Sequence, residues 1–388
     1  MKHHGADTFA IQRMAWTLTR FPVNGRTPMK AAKLACAVLQ LGETERRGHL
    51  AALPYPARLQ VAKALATESY EWVKTSWQVA EVAARAALGA VETPGPASLD
   101  AVRYDLLAEA TAALANALRV GGDHFAARSL WSKVWSYQAQ GRHEPRLVAD
   151  LRYVESALHR GQRRFPEAVA LLEQAIATYN DLGALHETVR ASLVLSTVHL
   201  QAGDVQRAFD TLKATTPALT QTQDERLRLD WTHNFLHCVA ELVSPWVALS
   251  LFDRALPLYQ SQGAPLFNLR AYWFLGKLTV RIGAPERAAE LFADIRQRFL
   301  DRGMSYDAAL IALDEAHALL QAHRNLECAD LARAMVGVFE ALQIDREATA
   351  ALLLFAEAAK ELRATAELVL EAKRLLESSG RAVSRGED

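Results

Sequence analysis

The chain is short of most of what marks a particular chemistry. Among 388 residues only three are cysteines, Cys36, Cys238 and Cys328, far apart and without a C-x-x-C pair. That spacing excludes a disulfide framework and a four-thiolate zinc site, and it suits a reducing compartment. Net charge is also lacking, since Lys+Arg 44 offset Asp+Glu 44. Nothing in the overall balance draws the chain to nucleic acid or anionic lipid, so any charged surface has to be local. No uncharged apolar run reaches the roughly 18 residues needed to cross a bilayer. The opening MKHHGADTFAIQRMAWTLTR mixes charge and polarity where a signal peptide has an apolar block. A cytoplasmic protein without a membrane partner is expected.

Catalytic signatures are missing as well. There is no G-x-x-x-x-G-K-[ST], no G-x-G-x-x-G and no G-x-S-x-G elbow. GAPERAAE opens a helix but lacks the Lys and the preceding strand of a phosphate-cradling loop. No catalytic residue and no cofactor is assigned, and the chain is read as non-enzymatic. Glycine is scarce at 19 residues, and alternating β-branched runs are few. What is present is a 51% hydrophobic, 23% charged sequence rich in Ala and Leu, which buries a large core and points to an all-α fold.

Helical stretches of about 15 residues are separated by short breaks such as RVGGDH, QAGDVQ, RIGAPE and LVSPW. Taking Gly122, Arg163, Gly203, Val243, Gly283 and Arg324 as origins gives a period of 40 or 41 residues. Five residues after each origin stands an alanine: Ala127, Ala168, Ala208, Ala248, Ala288 and Ala329. Nine after stand Trp131, Leu172, Leu212, Phe252, Phe292 and Arg333, large and apolar in all but the last. A small residue and a large one, four apart on one helix face, let a partner helix approach closely and fill the adjoining space. Each repeat is therefore a helical hairpin whose apolar face is completed by its neighbours.

This pattern resembles the tetratricopeptide repeat in a longer, roughly 40-residue form found in bacterial regulatory proteins. The best unit is RAYWFLGKLTVRIGAPERAAELFADI, where Tyr272, Leu275, Gly276, Gly283, Ala288 and Phe292 match the family's aromatic, Leu-Gly, turn, Ala and aromatic positions. The resemblance implies an α-solenoid of stacked antiparallel hairpins in a right-handed superhelix. Residues 57–343 are assigned to repeats, with Ala80 in an early hairpin ahead of the break VETPGPASLD. Residues 1–56 form an unassigned helical segment with helices near Phe9 to Arg20 and Pro28 to Leu41. Residues 344–380 form a capping hairpin and 381–388 a flexible tail.

In the family the first helix of each hairpin lines a concave partner-binding groove, at positions 13, 10, 6 and 3 before the turn. Carried onto this chain, the rule selects Asn116, Tyr153, Arg160, Arg190, His233, His237, Arg270, Trp273 and Lys277, with Arg281 adjacent. It also selects Ala112, Leu193, Ala240, Ile311, Asp314 and Ala318. Within DWTHNFLHC, Asp230, His233 and His237 project from one helix face at a spacing that divalent metals accept. Asn234 stands where an H-E-x-x-H box has Glu, and Arg270 and Lys277 in the next repeat oppose a cation. No metal is assigned, and a metal-dependent enzyme at this face is the least favoured reading.

The basic residues point instead to an anionic ligand. Arg grips a carboxylate bidentately, Lys adds a point charge, and Trp273 offers an apolar anchor. The expected function is a protein-interaction scaffold that holds a partner peptide or acidic segment in the groove. The alternative is a peptide- or ligand-sensing regulatory module, and a homodimer through an end repeat fits either. Direct nucleic-acid binding is not expected, because the first 50 residues show no helix-turn-helix with a basic recognition helix.

Overall fold

The computed structural model describes residues 29–262 and 265–341. Over them the chain forms sixteen α-helices, one short 3-10 turn at Ala97–Leu99 and no strand. Two compact units divide it, residues 1–158 and 159–388. The expected helix near Phe9 to Arg20, the capping hairpin and the tail lie outside the described residues.

The first unit holds α1 (Met29–Leu39), α2 (Glu43–Ala52), α3 (Tyr55–Trp72), α4 (Trp77–Val91), α5 (Asp100–Val120), α6 (His124–Gln138) and most of α7 (Pro145–Gly161). Helices α3 and α4 pack as one hairpin, and α5 and α6 as another. The joint between them is built on alanine: Ala83, Ala86, Ala87 and Ala90 of α4 are buried with Ala110 of α5. Small side chains here let backbones approach where bulkier ones would hold them apart. Ala80 of the early hairpin is fully buried.

The second unit continues with α8 (Phe165–Asp181), α9 (Leu185–Ala202), α10 (Val205–Thr222), α11 (Glu225–Leu242), α12 (Pro245–Gln262), α13 (Pro265–Arg281), α14 (Pro285–Leu300), α15 (Ser305–Gln321) and α16 (Asn325–Ala341). Each helix packs on the next, and the first helices α9 and α11, and α13 and α15, also touch directly. Local chemistry starts these helices. Asp204 accepts the Arg207 amide at 3.1 Å, and Asp224 accepts those of Arg226 and Leu227 at 2.8 and 3.2 Å, which satisfies amides that have no intrahelical partner. Pro166 and Pro285 stand in the first turns of α8 and α14, where a missing N–H costs nothing.

The turns inside the hairpins share one geometry. At Gly283 the residue is left-handed, its amide bonds the Val280 carbonyl, and the next amide reaches back to Thr279, which is a Schellman stop. Gly122, Arg163 and Gly203 repeat the pattern. In the sixth repeat the left-handed residue is His323, whose amide bonds Leu320 while Arg324 bonds Leu319. The origin therefore lies one residue before the Arg324 that the sequence suggested. The positions five and nine beyond it become Cys328 and Ala332, both buried, whereas Arg333 is exposed and paired with Asp330. The sixth repeat thus keeps a small buried residue after its turn, with Ala329 also fully buried, but has the small Ala332 where the other repeats carry a large apolar group. Val243 departs from the others with a right-handed φ of −119°.

The alanines five beyond the turn, Ala127, Ala168, Ala208, Ala248 and Ala288, are fully buried, and their large partners Trp131, Leu172, Leu212, Phe252 and Phe292 are buried beside them. Gly276 of α13 serves the same contact from the opposite side, because a Cβ placed there would run into the Phe292 ring of α14. One polar joint interrupts the apolar ones. Asn234 of α11 is buried and its amide nitrogen lies 2.9 Å from the Leu193 carbonyl, 2.7 Å from the Ser196 hydroxyl and 3.0 Å from that of Thr197, all on α9.

Two substitutions test this account by urea unfolding. Gly276→Ala is expected to destabilise by about 1–3 kcal/mol, because the Phe292 ring has nowhere to go. His323→Gly is expected to stabilise by about 0.5–1 kcal/mol, because a left-handed φ of 57° is strained for any residue with a Cβ.

Candidate functional site

Two of the ten residues singled out from the sequence, Asn116 and Tyr153, belong to the first unit, and the other eight to the second. Asn116 is partly buried on α5 and its Oδ1 accepts from Arg119 Nη2 at 2.9 Å. Tyr153 is partly buried on α7, Arg160 ends that helix, and Arg190 is partly buried on α9. The structure brings the remaining six together on α11 and α13.

His233 and His237, one turn apart on α11, sit inside an aromatic cage. The His233 ring lies 4.9 Å from that of His237, 5.4 Å from Phe267 and 5.8 Å from Phe274, and its Nδ1 shares a 3.0 Å hydrogen bond with the Tyr259 hydroxyl. The His237 ring lies 3.9 Å from Phe274. These side chains come from three successive helices, so the histidines are half-buried in the α11–α12–α13 joint. Burial, together with the charges of Arg270 and Lys277, pushes His233 down to about 4. Burial and its neighbour His233 hold His237 well below the usual imidazole range. Both rings are neutral near pH 7.

The metal reading fares poorly on this geometry. One nitrogen of His233 is engaged by Tyr259, and Asp230 lies 3.7 Å from Arg226. Among the described residues no group of three His, Cys, Asp or Glu side chains is placed to hold a metal ion. Cys238, one position on, is buried with Val189, Leu193 and Ala208, and burial raises its thiol to about 11.

The basic residues are not the unopposed cluster that the sequence suggested. Arg270 faces Asp307 at 3.8 Å and Lys277 faces Asp314 at 3.7 Å, both carboxylates standing on α15. Arg281 turns back to α11, where Nη1 bonds Glu241 and Nη2 bonds the Ala240 carbonyl at 3.0 Å. Arg281 thus ties two repeats together and caps the C-terminal end of α11, where a cation is favourable. Trp273 donates its indole N–H to Asp314 at 2.7 Å, and the Lys277 ammonium lies 4.7 Å above the Trp273 ring.

These pairs have an inside and an outside. The Arg270 and Lys277 side chains are 51% and 42% exposed, while Asp307 and Asp314 are 24% and 14% exposed. A molecule approaching α13 meets the cations before the acids, and beneath Lys277 the Trp273 ring is partly buried. Glu241 is more exposed than Arg281, so the outward positive layer ends before Arg281. Several groove positions taken from the family rule are closed: Ala112, Leu193, Ala240, Ile311 and Ala318 are buried where first helices meet.

The chain matches no protein-family model and no curated protein sequence. Among solved structures, the Rap conjugation gene regulator of plasmid pLS20, in complex with the Phr* peptide, aligns with a TM-score of 0.50 at 12% identity, covering 89% of this chain and 99% of that one. The fold is a tetratricopeptide-like helical repeat. A Rap protein complexed with competence and sporulation factor aligns at 0.46 and 11% identity, over 81% of this chain and 99% of that one. The apo form of RapI aligns at 0.45 and 11%, over 68% and 96%. At such identities the likeness concerns the fold alone.

Sequence reasoning missed Tyr259, Phe267, Phe274, Glu241 and Asp307 as partners of the tetratricopeptide-like face; the groove rule did select Asp314, but not its pairing with Lys277 and Trp273. A signal was present. Contacts between neighbouring first helices join residues 37 to 41 positions apart, so searching that window from each cation finds its acid: 37 residues on for Arg270 and Lys277, 40 back for Arg281.

The histidine cage predicts a pH dependence. A native pKa held below the unfolded one means that the unfolded chain takes up protons first as pH falls. The stability that depends on neutral His233 is complete above about 6.5 and is lost as pH drops toward about 4. The melting temperature should fall by several degrees between pH 7 and pH 5, and the fall should be shallower in His233→Gln. Equal slopes in calorimetry would contradict the assignment.

Proposed function

We propose that the chain is a non-enzymatic interaction module that binds a peptide, or an extended segment of a partner protein, across α13 and α15 of its second unit. The observation that carries this reading is the layering of charge: Arg270 and Lys277 stand outermost around the Trp273 ring, above the less exposed Asp307 and Asp314. Such a face suits a segment that presents carboxylates to the cations and an apolar group to the indole. His233 and His237 support it from below by fixing α13 against α11, and Arg281 holds the same joint at its end. Arg190 and Arg160 of the second unit are proposed as further contributors, and Asn116 and Tyr153 as binding residues of the first; their helices are first helices like α13.

The fold supports a peptide ligand in particular, since the plasmid pLS20 regulator of the same fold was solved with a peptide bound. That protein is a gene regulator, which favours a second reading: a cytoplasmic sensor whose conformation answers to peptide binding, as opposed to a fixed scaffold. The two readings share one site and differ in whether binding changes the shape of the chain.

Selection from a random-peptide display library on the intact chain tests the proposal. Enriched peptides should carry Asp, Glu or a free carboxyl terminus. Their affinity should fall about tenfold or more in Trp273→Ala and in Lys277→Glu. Enrichment without acidic groups, or affinity indifferent to both substitutions, would reject this face. Solution scattering with and without a selected peptide then separates the readings, because a sensor changes its scattering curve and a scaffold does not.

A further inference from the structure

We infer that Asp307 and Asp314 are built-in competitors for a partner's carboxylates: they occupy the cations of the binding face in the unbound protein and set how acidic a segment has to be in order to bind. This rests on the reading that α13 and α15 form a peptide-binding face.

The geometry separates these two acids from ordinary surface ion pairs. Both stand on α15, opposite cations carried by α13, so each pair bridges two repeats and is not a local i,i+4 contact. Their separations, 3.8 Å for Arg270–Asp307 and 3.7 Å for Lys277–Asp314, exceed the 2.7–2.9 Å of a direct charge-assisted hydrogen bond. Neither ion pair is therefore a direct hydrogen bond. Each cation is also the more exposed member of its pair, so a carboxylate arriving from solvent reaches the same ammonium or guanidinium from the open side. Two anions then face one cation within a few ångströms, and the incoming one has to overcome repulsion from the resident one.

Asp314 is the better anchored of the two. Its Oδ2 accepts the Trp273 indole N–H at 2.7 Å, and the same oxygen faces Lys277. One carboxylate thus orients the apolar anchor and holds back the cation above it. When a partner carboxylate takes Lys277, the Trp273 hydrogen bond keeps Asp314 in place, so repulsion persists in the complex and lowers affinity. Asp307 has no such tether to the indole, and burial pushes its carboxyl up while Arg270 opposes that shift. Drawing Arg270 away leaves a partly buried anion with less compensation, which is a second cost that binding has to meet. The result is a threshold: one carboxylate exchanges a resident anion for an incoming one at little gain, while several closely spaced carboxylates engage Arg270 and Lys277 together and exceed the cost.

Fluorescence anisotropy with a labelled oligoglutamate peptide tests this on the intact chain and on four variants: Asp307→Asn, Asp314→Asn, Arg270→Gln and Lys277→Gln. Asn keeps the shape of the acid and, at 314, an oxygen for the Trp273 N–H, so the fold is retained and a melting curve verifies it. Both Asp→Asn variants should bind oligoglutamate about two- to fivefold more tightly than the parent. Both cation variants should bind more weakly, and the gain from Asp→Asn should shrink in high salt. Unchanged or weaker binding in the Asp→Asn variants, with the cation variants still impaired, would overturn the competitor role and leave the binding face standing. No binding of oligoglutamate to the parent or to any variant would overturn both.

Discussion

The fold depends on how closely the second helix of each hairpin approaches its neighbours, and one small side chain per period sets that distance. Five residues beyond each turn a side chain no larger than Ala or Cys is fully buried, and in the first five repeats a large group four residues later fills the space that the small one leaves. Where the pair is Ala288 and Phe292, the glycine opposite, Gly276, removes the last obstruction. Interiors are packed tightly enough that an added methylene is felt, so this spacing is not tuned freely. The turns, the period and the placement of side chains one repeat apart all follow from it.

The period, the hairpins and the buried alanines were legible because they come from local spacing and from residue size. The sixth repeat was read a residue late because no glycine marks its turn, and the left-handed residue, His323, could not be told from its neighbour Arg324 by spacing alone. Left-handed residues at Arg163 and His323 show that tertiary packing imposes the stop even where the side chain disfavours it. Arg333 then looked like a fault in the pattern, when the buried position was Ala332.

The face was half legible. Trp273, Arg270 and Lys277 do stand together on α13, but their acids lie 37 to 41 residues away on α15, where single-helix reasoning does not look. The histidines show the same limit from the other side. Their i, i+4 spacing is real, yet their surroundings come from Tyr259 on α12 and from Phe267 and Phe274 on α13. Spacing along one helix names which groups share a stripe, and only the neighbouring helices decide whether the stripe is wet, paired or enclosed. The consequence for chemistry is direct, since a neutral pair in an aromatic cage and a charged pair on a surface use the same two residues.

Asn234 gives the second unit uneven mechanical stiffness. Dispersion contacts such as those around Phe292 depend on close approach but carry little directional preference. Hydrogen bonds from one amide to the backbone and hydroxyls of α9 are directional and are lost after a shift of an ångström or so. The α9–α11 joint is therefore pinned against shear by buried bonds, as the α13–α15 joint is by the Trp273 bond to Asp314.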